Sequence, residues 1–154
     1  MNIIKRYKNL KLIIEDSLLE SIYQSSVPYY PKEFGGFLLG RYTTDLKTLY
    51  IKKSILATSF TSSRVEFTRE NNYSEKYFQK LFIDEGIYYI GEWHTHPDNE
   101  PWFSTADLNA MLNIQKNQSI QIENPILLIL SVTKNKLQDY KFFVLHNDRL
   151  EVYE

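Results

Sequence analysis

His94 and His96 stand two residues apart, seven residues separate His96 from Ser104, and Asp107 lies three positions beyond the serine. Residues two apart on a strand share a face. The apolar run Ile87, Tyr88, Tyr89, Ile90 just before them reads as a buried strand. Its end would aim both imidazoles one way and Thr95 the other, and Pro97 would then stop ladder pairing and turn the chain. Ser104-Thr-Ala-Asp107 opens an amphipathic helix whose core face is Leu108, Met111 and Leu112. Its first turn would carry the Asp107 carboxylate back toward the strand end. Two imidazoles and one carboxylate make a ligand set suited to zinc, with the fourth tetrahedral position left to water, as in catalytic rather than structural sites. Cysteine is absent, so no thiolate closes that position and none serves as a nucleophile. Each feature also has a plain structural reading. Ser104-x-x-Asp107 is a capping-box pattern, and two histidines at a strand end can be ordinary polar residues. The cap and the ligand are compatible, since Ser104 can begin the helix while Asp107 faces a metal.

The elements that must position these residues follow from periodicity. Leu10–Ile14 reads as a strand, with a short one at Ile3–Tyr7 ahead of it. Ser17-Leu-Leu-Glu20 has the form of a capping box, and Leu18, Leu19, Ile22 and Tyr23 form a helical stripe that Pro28 and Pro31 end. Phe34–Tyr42 and Leu49–Ala57 read as a hairpin. Thr58–Ser63 reads as a polar loop and Val65–Thr68 as a short strand. Tyr73, Tyr77, Phe78, Leu81 and Phe82 repeat at helical spacing, with Gly86 as the stop. After the motif helix, which runs to about Asn117, Ile126–Val132 and Tyr140–Leu145 read as strands, and Leu150–Tyr153 as an edge.

The 154 residues suit one domain spanning 1–154, long enough for a sizeable core. A net charge of −1 gives no bulk attraction to nucleic acid or an anionic membrane. The N-terminus lacks the apolar region of a signal peptide and no apolar run approaches a membrane span. The expectation is a cytoplasmic protein with neither nucleic acid nor membrane as partner.

His94-Thr-His96, seven residues, Ser104, two residues, Asp107 resembles the signature of the JAMM metalloproteases, also called active MPN or JAB-domain isopeptidases. That family adds an upstream glutamate in a Glu-x-x-Gly-x-x-x-Gly context, which Glu33-Phe-Gly-Gly36-Phe-Leu-Leu-Gly40 matches. The resemblance implies an α/β fold, a curved mixed β-sheet flanked by helices in the cytidine-deaminase-like arrangement. It also implies Zn2+ held by His94, His96 and Asp107, Glu33 as the base that moves the proton of water, and Ser104 as a hydrogen-bond donor to the oxyanion. Gly91-Glu-Trp-His-Thr-His-Pro97 is similar to compact bacterial JAB deconjugases of antiphage operons. The substrate so implied is a conjugated protein, either a ubiquitin-like modifier or a cyclic-nucleotide synthase joined through its C-terminus. A non-catalytic MPN-type interaction module, a sulfur-carrier-processing peptidase and a DNA-repair-associated relative are the other readings; the first typically loses ligands, and Thr95 and the near-neutral charge argue against the last.

Four residues are left with open roles. Glu92 shares the histidines' face by parity and either orients an imidazole or is solvated at the sheet edge, the latter being favoured. His146, without partners in sequence, reads as a surface residue. Trp102 and Phe103 stand where many relatives have a proline before the serine, as core plugs or as the lining of a groove for an extended peptide.

Overall fold

The computed structural model describes residues 1–69, 75–117 and 122–154. Strands β1 (Asn2–Tyr7) and β2 (Leu10–Glu15) form an antiparallel pair, followed by helix α1 (Asp16–Ser26). Strands β3 (Gly35–Tyr42) and β4 (Thr48–Leu56) make the expected hairpin. Two short strands, β5 (Phe60–Ser62) and β6 (Phe67–Arg69), pair as a separate hairpin. Helix α2 (Glu75–Glu85), strand β7 (Tyr88–Pro97), helix α3 (Thr105–Lys116) and strands β8 (Ile126–Val132), β9 (Leu137–His146) and β10 (Arg149–Tyr153) complete the chain.

The main sheet runs β1-β2-β4-β3-β7-β8-β9-β10, antiparallel except for the β2/β4 and β7/β8 pairs. Its curvature brings the two outer strands together, where Arg6 and Glu154 exchange both backbone hydrogen bonds at 2.7 and 2.8 Å. Curved mixed sheet and flanking helices are both present, as expected. Every residue of β8 is buried, because the sheet is covered on both faces there. Leu128 and Leu130 join Trp93, Leu38, Phe142 and the α1 residues Leu19 and Ile22 in the larger core. Leu127 and Ile129 join Phe143, Leu145 and Met111 of α3 in the smaller one. Both clusters bury apolar area that drives the fold.

Three expectations change. The Ser17/Glu20 capping box does not form: α1 begins directly after β2 with Glu15 as its uncapped N-cap. Glu20 instead accepts from Gln24 along the helix, at 2.8 Å. The polar loop at Thr58–Ser63 contains β5, and its partner strand begins at Phe67 rather than at Val65, which is exposed. Pro97 remains the last rung of the β7/β8 pairing, opposite Val132. Gly86, at φ +69°, ends α2 as expected; Tyr73 lies outside the described residues. No described helix is long and apolar enough to cross a membrane.

Candidate metal centre

β7 carries His94 and His96 to the end of the sheet, paired with Ile129 and Ser131 of β8. Both histidines therefore share the face on which Leu127 and Ile129 meet α3. The helix begins over that strand end. Ser104 is its N-cap, its Oγ accepting the Asp107 amide at 3.1 Å, while the Asp107 carboxylate Oδ2 accepts the Ser104 amide at 2.8 Å. This reciprocal box fixes the Asp107 side chain with Oδ1 beside His94 and Oδ2 beside His96. Asp107 Oδ1 lies 3.3 Å from His94 Nε2, Asp107 Oδ2 lies 3.5 Å from His96 Nε2, and the two Nε2 atoms are 3.1 Å apart.

Those three separations test the ligand set. A tetrahedron with bonds of about 2.0–2.1 Å has edges of about 3.3–3.4 Å, and the spacings here are close to that, with a different Asp107 oxygen facing each imidazole. The tautomer fits as well. His96 Nδ1 lies 3.0 Å from the Glu100 carbonyl; an N–H donated there leaves Nε2 as the lone-pair nitrogen. That nitrogen faces a second imidazole nitrogen and a carboxylate, a cluster of acceptors that a cation satisfies. The residues fit a metal ion.

Glu33 precedes β3 and is buried. Its carboxylate and one nitrogen of each imidazole lie within 4.8 Å of one another, so geometry alone would let either carboxylate reach an ion. Electrostatics separates them. Burial raises the Glu33 carboxyl to about 7, against the opposing pull of His96 and with the repulsion of Asp107 and Glu66 added. Burial would raise Asp107 too, but in the metal-free chain, where protons can stand in for the cation on the Nε2 atoms, hydrogen bonds from His94 and His96, the charge of His94 and the Ser104 amide hold it well below the usual carboxylate range. One carboxylate is kept anionic and the other is poised near neutrality, the pattern that separates a fixed anion from a proton carrier. Burial lowers His94; for His96 it is outweighed by Asp107, the Glu100 carbonyl and Glu33, and the net shift is upward.

The structure brings Glu33, His94, His96, Ser104 and Asp107 to one place. Phe103 is half-buried and Trp102 is 50% exposed; their rings stack, and each meets Phe143 edge-on at 5.3 Å. Phe103 thus plugs the α3 core, and half of Trp102 stays open to solvent. His146 lies at the opposite end of the sheet against the Tyr7 ring.

Glu92 corrects the favoured reading: it is buried, not solvated, and it orients no imidazole. Its carboxylate pairs with Arg69 at 2.7 Å and accepts the Tyr89 hydroxyl at 3.0 Å. Sequence reasoning missed Arg69 altogether. The available signal was Glu92 itself, an acid inside a strand otherwise buried, which needs a cation or donors. It also missed Tyr30, whose hydroxyl donates to Asp98 at 2.6 Å and ties the Glu33 arm to the loop after His96.

Residues 15–145 match the family described as prokaryotic homologs of the JAB domain. A protein of Enterobacter hormaechei subsp. hoffmannii named CD-NTase/cGAS isopeptidase is 28% identical over 120 residues, covering 77% of this chain and 66% of that protein. The chain thus spans just under two thirds of that relative. A probable metalloprotease of Sinorhizobium fredii is 27% identical over 127 residues, covering 78% of this chain and 76% of that one. A solution structure from Salinibacter ruber superposes with a TM-score of 0.60 at 22% identity, covering 92% of this chain and 86% of that one. One from Desulfitobacterium hafniense gives 0.59 at 18%, covering 92% and 88%. Both share the fold.

Proposed function

We propose, for a chain that belongs to the family of prokaryotic JAB-domain homologs, that it is a zinc-dependent isopeptidase. In this reading it hydrolyses the bond after the C-terminus of a conjugated protein. The observation that carries the reading is the cluster of His94 Nε2, His96 Nε2 and the Asp107 carboxylate at spacings of 3.1 to 3.5 Å, with a second, differently tuned carboxylate beside it. A non-catalytic interaction module would not need that pairing.

His94, His96 and Asp107 would hold the ion. Bound there, zinc would supply a Lewis acid for the scissile carbonyl and acidify a water molecule. Glu33 takes the proton of that water as it attacks the carbonyl carbon, and returns it to the leaving amine as the C–N bond breaks. Its carboxyl, near 7 in the metal-free chain, suits both directions of transfer. Ser104 uses its Oγ as an acceptor for the cap, so its one proton is free to be donated to the tetrahedral oxyanion. The cap and the oxyanion donor are therefore the same side chain without conflict.

For the substrate, the name of the Enterobacter relative, CD-NTase/cGAS isopeptidase, favours a conjugated nucleotide cyclase over a ubiquitin-like modifier; linkage through its C-terminus and antiphage defence as the setting rest on the Gly91–Pro97 resemblance alone. A sulfur-carrier precursor would use the same chemistry. The extended tail would run past the 98–103 loop and Trp102. Strand addition on the outer strands of the main sheet would compete with the bonds that join them at Arg6 and Glu154, and the β5–β6 hairpin offers another edge. The test is a reporter fused to the C-terminal tail of a cyclase of this type. Zinc-loaded wild type should cut after the tail's last native residue, while Glu33→Gln and chelated enzyme should not. A fusion left intact by zinc-loaded protein removes the cyclase from the reading; failure on ubiquitin-like and sulfur-carrier fusions as well removes the isopeptidase.

A further inference from the structure

The β5–β6 hairpin reaches the centre from both sides. Glu33 stands before the first rung of β3, so the ladder does not hold it. Its amide donates to the Ser63 carbonyl at 2.8 Å, and its carbonyl accepts the Ser62 hydroxyl. Phe60 and Phe67 pack edge-on against Phe34, the next residue, at 5.3 and 5.9 Å. At the other end of the hairpin, Arg69 donates through Nε to the Gly36 carbonyl at 3.1 Å and through Nη2 to the Trp93 carbonyl. That carbonyl belongs to the peptide bond leading into His94. The guanidinium is pinned by Glu92 and lies over the Phe67 and Phe37 rings. Room for it comes from Gly35, where a Cβ would fall 2.2 Å from the Trp93 oxygen and 2.9 Å from Arg69 Nη2.

We propose that this hairpin is the positioning element of the centre, with Ser62 setting Glu33 and Arg69 setting His94. The proposal deepens the function above and rests on its assignment of Glu33 as base and His94 as ligand. Neither Ser62 nor Arg69 is given contact with substrate or metal; each acts through the backbone of a residue that has it. Their effects should therefore separate, one on the base and one on the ligand, which a general loosening of the fold would not produce.

Cobalt(II) binding to the full chain and residue-resolved amide exchange test this without a substrate. Ser62→Ala removes the bond to the Glu33 carbonyl and leaves the amide bonded to Ser63. It should make local opening of the Glu33 arm easier by the worth of one hydrogen bond, speeding exchange of the Glu33 amide about five- to tenfold, and leave the cobalt absorption bands and affinity unchanged. Ser62→Thr, which keeps the hydroxyl, should restore protection. Arg69→Met should weaken cobalt binding on the order of tenfold and shift its absorption bands, as loss of a supporting contact behind a ligand does. Because that change strands Glu92, the pair Arg69→Met with Glu92→Gln keeps the readout in a folded protein. A folded double variant with wild-type cobalt spectrum and affinity, or a Ser62→Ala chain with unchanged Glu33 exchange, would overturn the proposal and leave the metal centre standing. A wild-type chain that takes up no cobalt would overturn the metal centre, and this proposal with it.

Discussion

Glu33→Gln should stabilise the metal-free protein at alkaline pH while abolishing its turnover. Burial is the main reason the Glu33 carboxyl moves from its ordinary 4.5 to about 7. An acid raised on folding contributes stability that is fully present below 4.5 and lost as pH rises through about 7. At pH 8 the folded, metal-free chain therefore carries a buried carboxylate at a cost of roughly 3 kcal/mol. Glutamine removes the charge, but His96 loses an anionic neighbour, so the expected net gain is roughly 2 kcal/mol. For a chain of this size that is about 4–8 °C in Tm. Thermal melts of both proteins in chelator at pH 4.5, 6 and 8 measure it: no difference at 4.5, and a difference that grows with pH. Saturating zinc should shrink the gap, since a nearby cation favours the carboxylate. Equal melts at pH 8 in chelator, or a more stable wild type, would refute the assignment of Glu33 as a strained acid inside the centre.

Purified protein should carry about one zinc per chain by elemental analysis, and His94→Ala or His96→Ala should lose it, since two ligands cannot hold the ion as three do. Ser104→Ala should cost about 1 kcal/mol in urea denaturation through loss of the cap and about a hundredfold in rate on a cleavable fusion; a rate loss no larger than the unfolding accounts for would remove its oxyanion role. Glu92→Ala leaves Arg69 buried without its partner and should destabilise by about 3–5 kcal/mol, whereas an effect under about 1 kcal/mol by the same denaturation would mean the pair is solvated in solution.

What was legible in the sequence was local. The alternation that puts His94 and His96 on one face, the Ser104–Asp107 box, the β3–β4 hairpin and the apolar run of β8 are each written within a few residues, so periodicity and capping chemistry reach them. The resemblance supplied Glu33, which stands in a different element from the histidines and has no local mark of its own. What escaped depends on packing between distant segments. β5, three residues long, is too short for alternation to register, and β6 was expected at Val65–Thr68 but begins at Phe67; the pair exists because Phe60 and Phe67 find Phe34. Glu92 was taken for a solvated acid because its partner, Arg69, lies beyond a helix in sequence. Ser17 had the right spacing for a cap and failed because β2 runs straight into α1, which places the helix start two residues too early.

The order in which the centre is written along the chain has a kinetic consequence. His94, His96 and Asp107 belong to consecutive elements, β7 and α3, and β8 then pairs parallel to β7. Closing that short loop restricts the chain less than bringing in β3 from far upstream. A refolding chain should therefore be able to capture its ion on a β7–α3–β8 unit before Glu33 arrives. Metal uptake and the onset of hydrolysis would then appear as two successive phases, the first a loose capture that Arg69 of the β5–β6 hairpin later tightens and the second waiting for Glu33.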